Sequence, residues 1–233
     1  MTSPPYDDIR DYNGFSFDFE GIARELLRVL KPGGVIVWIV GDQTKNGSET
    51  GTSFKQALYF KEIGLNLHDT MIYDKGKVVF PDANRYHNVW EYMFVFSKGA
   101  PKTFNPIADR KNKTPPKTTE SSFRQKDGTT KKKMAKPSQE YGWRNNVWYC
   151  PSGYMVGTTD KGAFEHPAMF PEALAKDHIV SWSNEGDLVL DPFNGSGTTT
   201  KCAKYLKRNY IGIDISERYC EIARQRLLQE MLF

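Results

Sequence analysis

The chain has 233 residues, a net charge of +4, three cysteines and four histidines, a length that holds one α/β core plus an insertion without disulfide or metal support. Cys150, Cys202 and Cys220 show no paired spacing and His68, His87, His166 and His178 no zinc-ligand rhythm, so neither a disulfide framework nor a metal is expected. No apolar run approaches the roughly 20 residues that cross a bilayer, and the polar start is unlike a secretory signal, which points to a cytoplasmic protein with no membrane role.

The chain opens on Thr2-Ser3-Pro4-Pro5-Tyr6. Ser3 and Pro4 each precede a proline, which biases them to extended backbone, and neither proline carries an N–H. The Ser3 hydroxyl and Pro4 carbonyl form a stiff row of acceptors suited to an exocyclic amino group, and the Tyr6 ring can stack on an extruded base. A plain stiff loop or a polyproline II ligand fits the same residues.

Phe19, Ile22, Ala23, Leu26, Leu27 and Leu30 recur at helical spacing, predicting a helix over 20–30 that Lys31-Pro32-Gly33-Gly34 ends. Val35-Ile36-Val37-Trp38-Ile39-Val40 has no polar face and reads as a parallel, central strand covered on both sides. A helix over 54–63 follows, then strands at 65–73 and 89–97 expected to pair antiparallel at a sheet edge. From Lys98 to about Ser138 the pattern dissolves into Lys, Thr, Pro, Ser and Gly, as in an insertion. Between Lys98 and Arg144 thirteen Lys and Arg stand against four Asp and Glu, a net +9, leaving −5 for the rest. Such a segment is either a footprint for phosphates or a solvated linker. Tyr141-Gly142-Trp143-Arg144-Asn145-Asn146-Val147-Trp148-Tyr149 can stack on and read bases, or form a packed return strand.

Regular structure resumes with a helix over 170–182, a strand at 188–190, a helix over 198–206, a strand at 210–213 and a helix over 217–228. Alternating strands and helices imply a doubly wound sheet. The strand ending at Asp191 feeds through Pro192-Phe193-Asn194-Gly195-Ser196-Gly197 into the helix opened by Thr198. Glycines there permit a tight strand-to-helix turn and close passage beneath a ligand, and the next strand ends at Asp214, placed to accept from ribose hydroxyls. Thr200 stands where the dinucleotide fingerprint has its third glycine, so a pyrophosphate need not be cradled. S-adenosylmethionine carries a sulfonium instead, and an acid such as Asp191 suits its charged methionine portion.

Together, Ser3-Pro4-Pro5-Tyr6 near the start and Asp191-Pro192-Phe193-Asn194-Gly195-Ser196-Gly197-Thr198-Thr199 near the end resemble the amino-group DNA methyltransferases of restriction-modification systems, in the permuted β-type branch where the catalytic motif precedes the cofactor motif. The resemblance implies an α/β, Rossmann-like, S-adenosylmethionine-dependent fold: a mostly parallel doubly wound sheet of seven strands with an antiparallel edge hairpin. Residues 1–100 would be the catalytic half, 101–160 an inserted basic DNA-recognition region and 161–233 the cofactor half. Ser3, Pro4, Pro5 and Tyr6 would hold the target amino group. Asp191, Pro192, Phe193, Gly195, Ser196, Gly197, Thr198 and Asp214 would bind the cofactor. His166 and Phe170 lie in the segment that closes over its methionine end. Lys131, Lys132, Lys133 and Arg144 would contact double-stranded DNA, the lysines at phosphates. The serine form of the motif leans toward cytosine N4 over adenine N6. A cognate restriction endonuclease and a homodimer are the other partners the family suggests. Family members also carry a strand directly before the catalytic motif, which a chain opening at Met1 would lack, and a catalytically impaired DNA- or cofactor-binding relative is the competing reading.

Overall fold

In a computed structural model of the chain, residues 1–5, 7, 17–77, 83–113, 120–134, 139–153, 155–160, 162–163 and 169–228 are described. In order they form α1 (Phe19–Val29), β1 (Val35–Val40), β2 (Thr44–Lys45), β3 (Ser48–Glu49), α2 (Thr52–Glu62), β4 (Asn66–Asp74), β5 (Trp90–Ser97), β6 (Arg110–Lys111), β7 (Glu120–Arg124), β8 (Thr130–Met134), β9 (Tyr141–Gly142), β10 (Val147–Tyr149), α3 (Glu172–Trp182), β11 (Leu188–Asp191), α4 (Thr198–Tyr205), β12 (Asn209–Gly212) and α5 (Glu217–Leu228). Among the described residues no helix is long and apolar enough to cross a membrane.

Two compact units divide the chain: residues 1–105 with 146–233, and the stretch Pro106–Asn145. The second unit is narrower at both ends than the stretch 101–160. Asn105 is held by Ser181 and Val180 carbonyls, and β10 pairs with β4, so these flanks belong to the first unit.

In the first unit one sheet runs β1-β5-β4-β10, with β1–β5 and β5–β4 antiparallel and β4–β10 parallel, while β11 and β12 form a parallel pair. The β4–β5 hairpin is therefore internal and not at an edge as expected: β5 sits between β1 and β4, and the returning β10 covers β4. Hydrophobic period reports how many faces are buried, not which strand is the neighbour. Between the two sets lies the start of the chain. The Met1 nitrogen donates to the Leu190 carbonyl at 3.0 Å. Thr2 bridges β1 in parallel, its N–H to Val37 and its carbonyl from Ile39, both at 3.0 Å. Met1 and Thr2 thus run between Leu190 of β11 and β1.

Both faces of β1 are covered, as an apolar run without alternation requires, but its ladder partner β5 runs antiparallel, not parallel as expected. Ile36, Trp38 and Val40 meet Ala23 and Leu26 of α1, Ala57 and Phe60 of α2, and Phe94 and Phe96 of β5. Trp38 is fully buried and its indole N–H donates to Gln56 at 2.8 Å, so that polar group is satisfied. Helix α1 starts where the Asp18 carboxylate accepts from the Gly21 N–H. It ends against the Lys98 ammonium, which donates to the Leu27 and Leu30 carbonyls. Lys98 thus places a cation at the C-terminus of α1, where the helix dipole favours it. A second core packs Ala175 and Ile179 of α3 and Cys202 and Ala203 of α4 on Val189, with Met1 and Phe170 beside them.

The second unit holds two antiparallel pairs, β6–β9 and β7–β8, in a segment expected to lack regular structure. Every residue of β8 is exposed. With neither face buried, no apolar alternation marks such strands in the sequence.

Candidate active site between the chain start and the glycine turn

At its carboxyl end β11 delivers Asp191, and the backbone then turns through 192–197 into α4. Gly195 and Gly197 adopt positive φ of 48° and 82°. A Cβ on Gly197 would stand 2.8 Å from the Ala223 Cβ, so this glycine lets α5 approach the turn. The parallel β12 brings Asp214 alongside: its carboxylate accepts from the Gly195 N–H at 2.8 Å and the Ser216 N–H at 2.9 Å. Phe193 projects into the aromatic core, edge-on to Phe17 at 5.4 Å and Trp38 at 6.3 Å. Pro192 is partly exposed, whereas Ser196 and Thr198 are buried.

Asp191 is 1% exposed, and its carboxylate accepts from the Thr2 hydroxyl at 2.6 Å and the Phe193 N–H at 3.1 Å. Burial pushes its pKa up, against those hydrogen bonds. The carboxylate expected to face the methionine portion thus also ties the two ends of the chain together. Ser3 and Pro5 follow directly, half-buried, and Pro4 is buried. Tyr6 and His166 lie outside the described residues. Phe170 flanks the second core.

Two groups that support the site went unread in the sequence. Asp7, at φ 51°, accepts from the Thr52 hydroxyl at 2.5 Å, the Thr50 hydroxyl at 2.7 Å and the Gln43 N–H at 2.9 Å. Although burial raises it, these bonds hold its carboxyl below the usual range. Asp7 thereby moors the segment that follows Ser3-Pro4-Pro5 to the start of α2, whose first turn Asp42 caps through the Ser53 N–H and hydroxyl.

The second is a buried ion cluster behind the glycine turn. Arg226 of α5 is 1% exposed and donates to Asp160 at 2.6 Å, Glu172 at 3.0 Å and the Ser196 carbonyl at 2.6 Å. Lys201 of α4 donates to the same carboxylates at 3.3 and 3.0 Å. Burial opposes ionisation of Asp160 and Glu172, but bonds and charge from Arg226 and Lys201 hold both below the ordinary carboxylate range. Two cations and two anions balance, and the guanidinium fork fixes the Ser196 carbonyl between α5 and the start of α3. The signal for Arg226 was a charge three residues from Ala223 on the apolar stripe of α5.

Of the four expected DNA contacts, all lie in the second unit. Arg144 forms a forked ion pair with Asp109, at 2.5 Å for the closest contact. Lys132 pairs with Glu120 at 3.2 Å. Lys131 and Lys133 are exposed.

Residues 1–225 match the amino-group (N6/N4) methyltransferase family described as DNA methylase. The chain belongs to that family. This DNA methylase is 59% identical to the orphan methyltransferase M.BamHII of Bacillus amyloliquefaciens, over 97% of its own length and 87% of the relative's. Its fold matches the M1.HpyAVI–SAM complex with a TM-score of 0.63 at 24% identity, covering 98% of this chain and 87% of that one. It also matches the cytosine-N4-specific PvuII DNA methyltransferase with a TM-score of 0.64 at 19% identity, covering 100% and 80%.

Proposed function

We propose that this DNA methylase moves a methyl group from S-adenosylmethionine to the exocyclic amino nitrogen of a base flipped out of duplex DNA. The observation that carries the reading is the 2.6 Å bond from Thr2 to Asp191. It sets the residue before Ser3 against the residue that opens the glycine turn, 189 positions away. The turn suits the cofactor: without side chains at Gly195 and Gly197 a ligand can lie close on the backbone, and Asp214 presents a carboxylate matched to a ribose diol. When bound there, S-adenosylmethionine supplies an electrophilic methyl on its sulfonium.

The chain's own residues then address the weakness of the nucleophile. An aromatic amino nitrogen shares its lone pair with the ring. The Ser3 hydroxyl and Pro4 carbonyl accept from its two N–H groups and draw it toward pyramidal geometry, while Tyr6 stacks on the base. Asp7 keeps this motif still, so rate comes from positioning and preorganised dipoles, with no covalent enzyme intermediate. The serine form of the motif supports cytosine N4 as the target.

Tritiated-methyl transfer to mixed-sequence duplex tests the reaction. Ser3→Ala is expected to lower kcat by roughly 10²-fold, the scale of removing one preorganised hydrogen bond, and Tyr6→Ala to lower it as well. Absence of transfer by the wild-type chain would reject the reaction. Mass spectrometry of the digested product tests the base: N4-methylcytosine supports the assignment, and N6-methyladenine as sole product replaces it.

A further inference from the structure

We infer that one face of the β7–β8 hairpin is the surface that docks into the major groove of duplex DNA, and that the opposite face is turned away. The inference rests on the DNA-methyltransferase reading above and specifies how the substrate is gripped. The hairpin is a two-stranded ribbon closed by Gln125-Lys126-Asp127-Gly128-Thr129, with Gly128 at φ 83° and the Gln125 N–H donating to Thr129 at 2.7 Å. Five residues per strand span about 17 Å, and the major groove of B-form DNA admits a ribbon of two strands.

Register separates the faces. Phe123 pairs with Lys131 and Ser121 with Lys133, which puts these four side chains on one side. Glu120, Ser122, Arg124, Thr130, Lys132 and Met134 fall on the other. The first face carries two cations and no acid, and neither Lys131 nor Lys133 has a carboxylate partner among the described residues. Phe123 is 54% exposed between them, an apolar ring suited to contact with a thymine methyl or a base face. On the second face Glu120 pairs with Lys132 at 3.2 Å, and that carboxylate would meet phosphates as a like charge. Among the described residues the hairpin contributes none to a buried core, so the exposed Phe123 ring between two lysines is open to contact from another molecule. Unopposed positive charge selects a polyanion.

The test is binding of the full-length protein to a fluorescent duplex over a salt series. Each phosphate contact adds about 0.9 to the slope of log K against log salt, so Lys131→Ala/Lys133→Ala should make the slope shallower by about 1.8. Two adjacent charge insertions separate the faces: Ser121→Glu should weaken binding at least tenfold, whereas Ser122→Glu should leave it unchanged. An unchanged slope in the lysine variant, or equal losses from the two glutamates, overturns the assignment. So does a change in oligomeric state on Ser121→Glu with DNA binding intact, which would give the face to a second copy of the chain. Wild-type methyl transfer separates the two levels. Transfer with an indifferent ribbon removes this inference alone, and neither binding nor transfer removes both.

Discussion

Gly197→Ala is expected to destabilise the protein by about 2–5 kcal/mol and to weaken S-adenosylmethionine binding at least tenfold. At φ 82° an alanine meets the left-handed penalty of roughly 1–2 kcal/mol. Its Cβ would also lie 2.8 Å from the Ala223 Cβ and 3.0 Å from the Ala223 Cα. Backbone cannot swing aside as a flexible side chain would, so α5 must retreat or the turn must open, an overpacking cost of about 1–3 kcal/mol. Either movement displaces the Gly195 N–H from Asp214 and so distorts the proposed ribose seat. Denaturant unfolding and calorimetric titration with S-adenosylmethionine measure both effects. Adding Ala223→Gly should recover only part of the packing cost, because the Ala223 Cα remains 3.0 Å away, and leave the conformational part. A Gly197→Ala protein with wild-type stability would show that α5 does not press on the turn.

Arg226→Met should cost about 3–5 kcal/mol, the scale for breaking a buried ion pair from one side. Asp160 and Glu172 would keep only Lys201 as a cationic partner among the described residues, and the Ser196 carbonyl would lose its guanidinium donor. Chemical unfolding at pH 7 measures the loss. Adding Asp160→Asn, which removes one uncompensated charge, should recover part of it.

The same cluster sets an acid limit. Both carboxyls are depressed in the folded protein, so their contribution is complete above the unfolded value of about 4 and is lost as pH falls through the folded values. Lys201 is shifted the other way, above its ordinary 10.5, and its contribution is complete at neutrality and lost only at alkaline pH. Unfolding free energy should therefore be flat in the neutral range from this cluster and fall below about pH 4. Glu172→Gln should flatten that acid limb, and an unaltered limb would place the acid sensitivity elsewhere.

Much of this architecture was legible before any coordinates. The spacing of Phe19, Ile22, Ala23 and Leu26, the unbroken run Val35–Val40 and the alternation of strands and helices after residue 170 each reappear within two residues of expectation. Those patterns are local: a helix face repeats every 3.6 residues and a doubly covered strand admits no polar side chain. The glycine turn was legible for a similar reason, since a positive φ beside a close-packed helix leaves only one residue type.

The amino-acid order by itself determined the five helices and the longer strands of the first unit, the two motifs and a basic middle segment. Tertiary structure alone decided that β5 lies inside the sheet and that Met1 and Thr2 fill the seam between Leu190 and β1. It also decided that Asp160, Glu172 and Lys201 converge with Arg226, which reaches Ser196, and that Lys131 and Lys133 share a face from which Lys132 is excluded. The physical reason is common to all four. Periodicity reports whether a side chain is covered. Pairing, burial of a charge and strand register depend on partners brought together from far along the chain, and those leave no period to read.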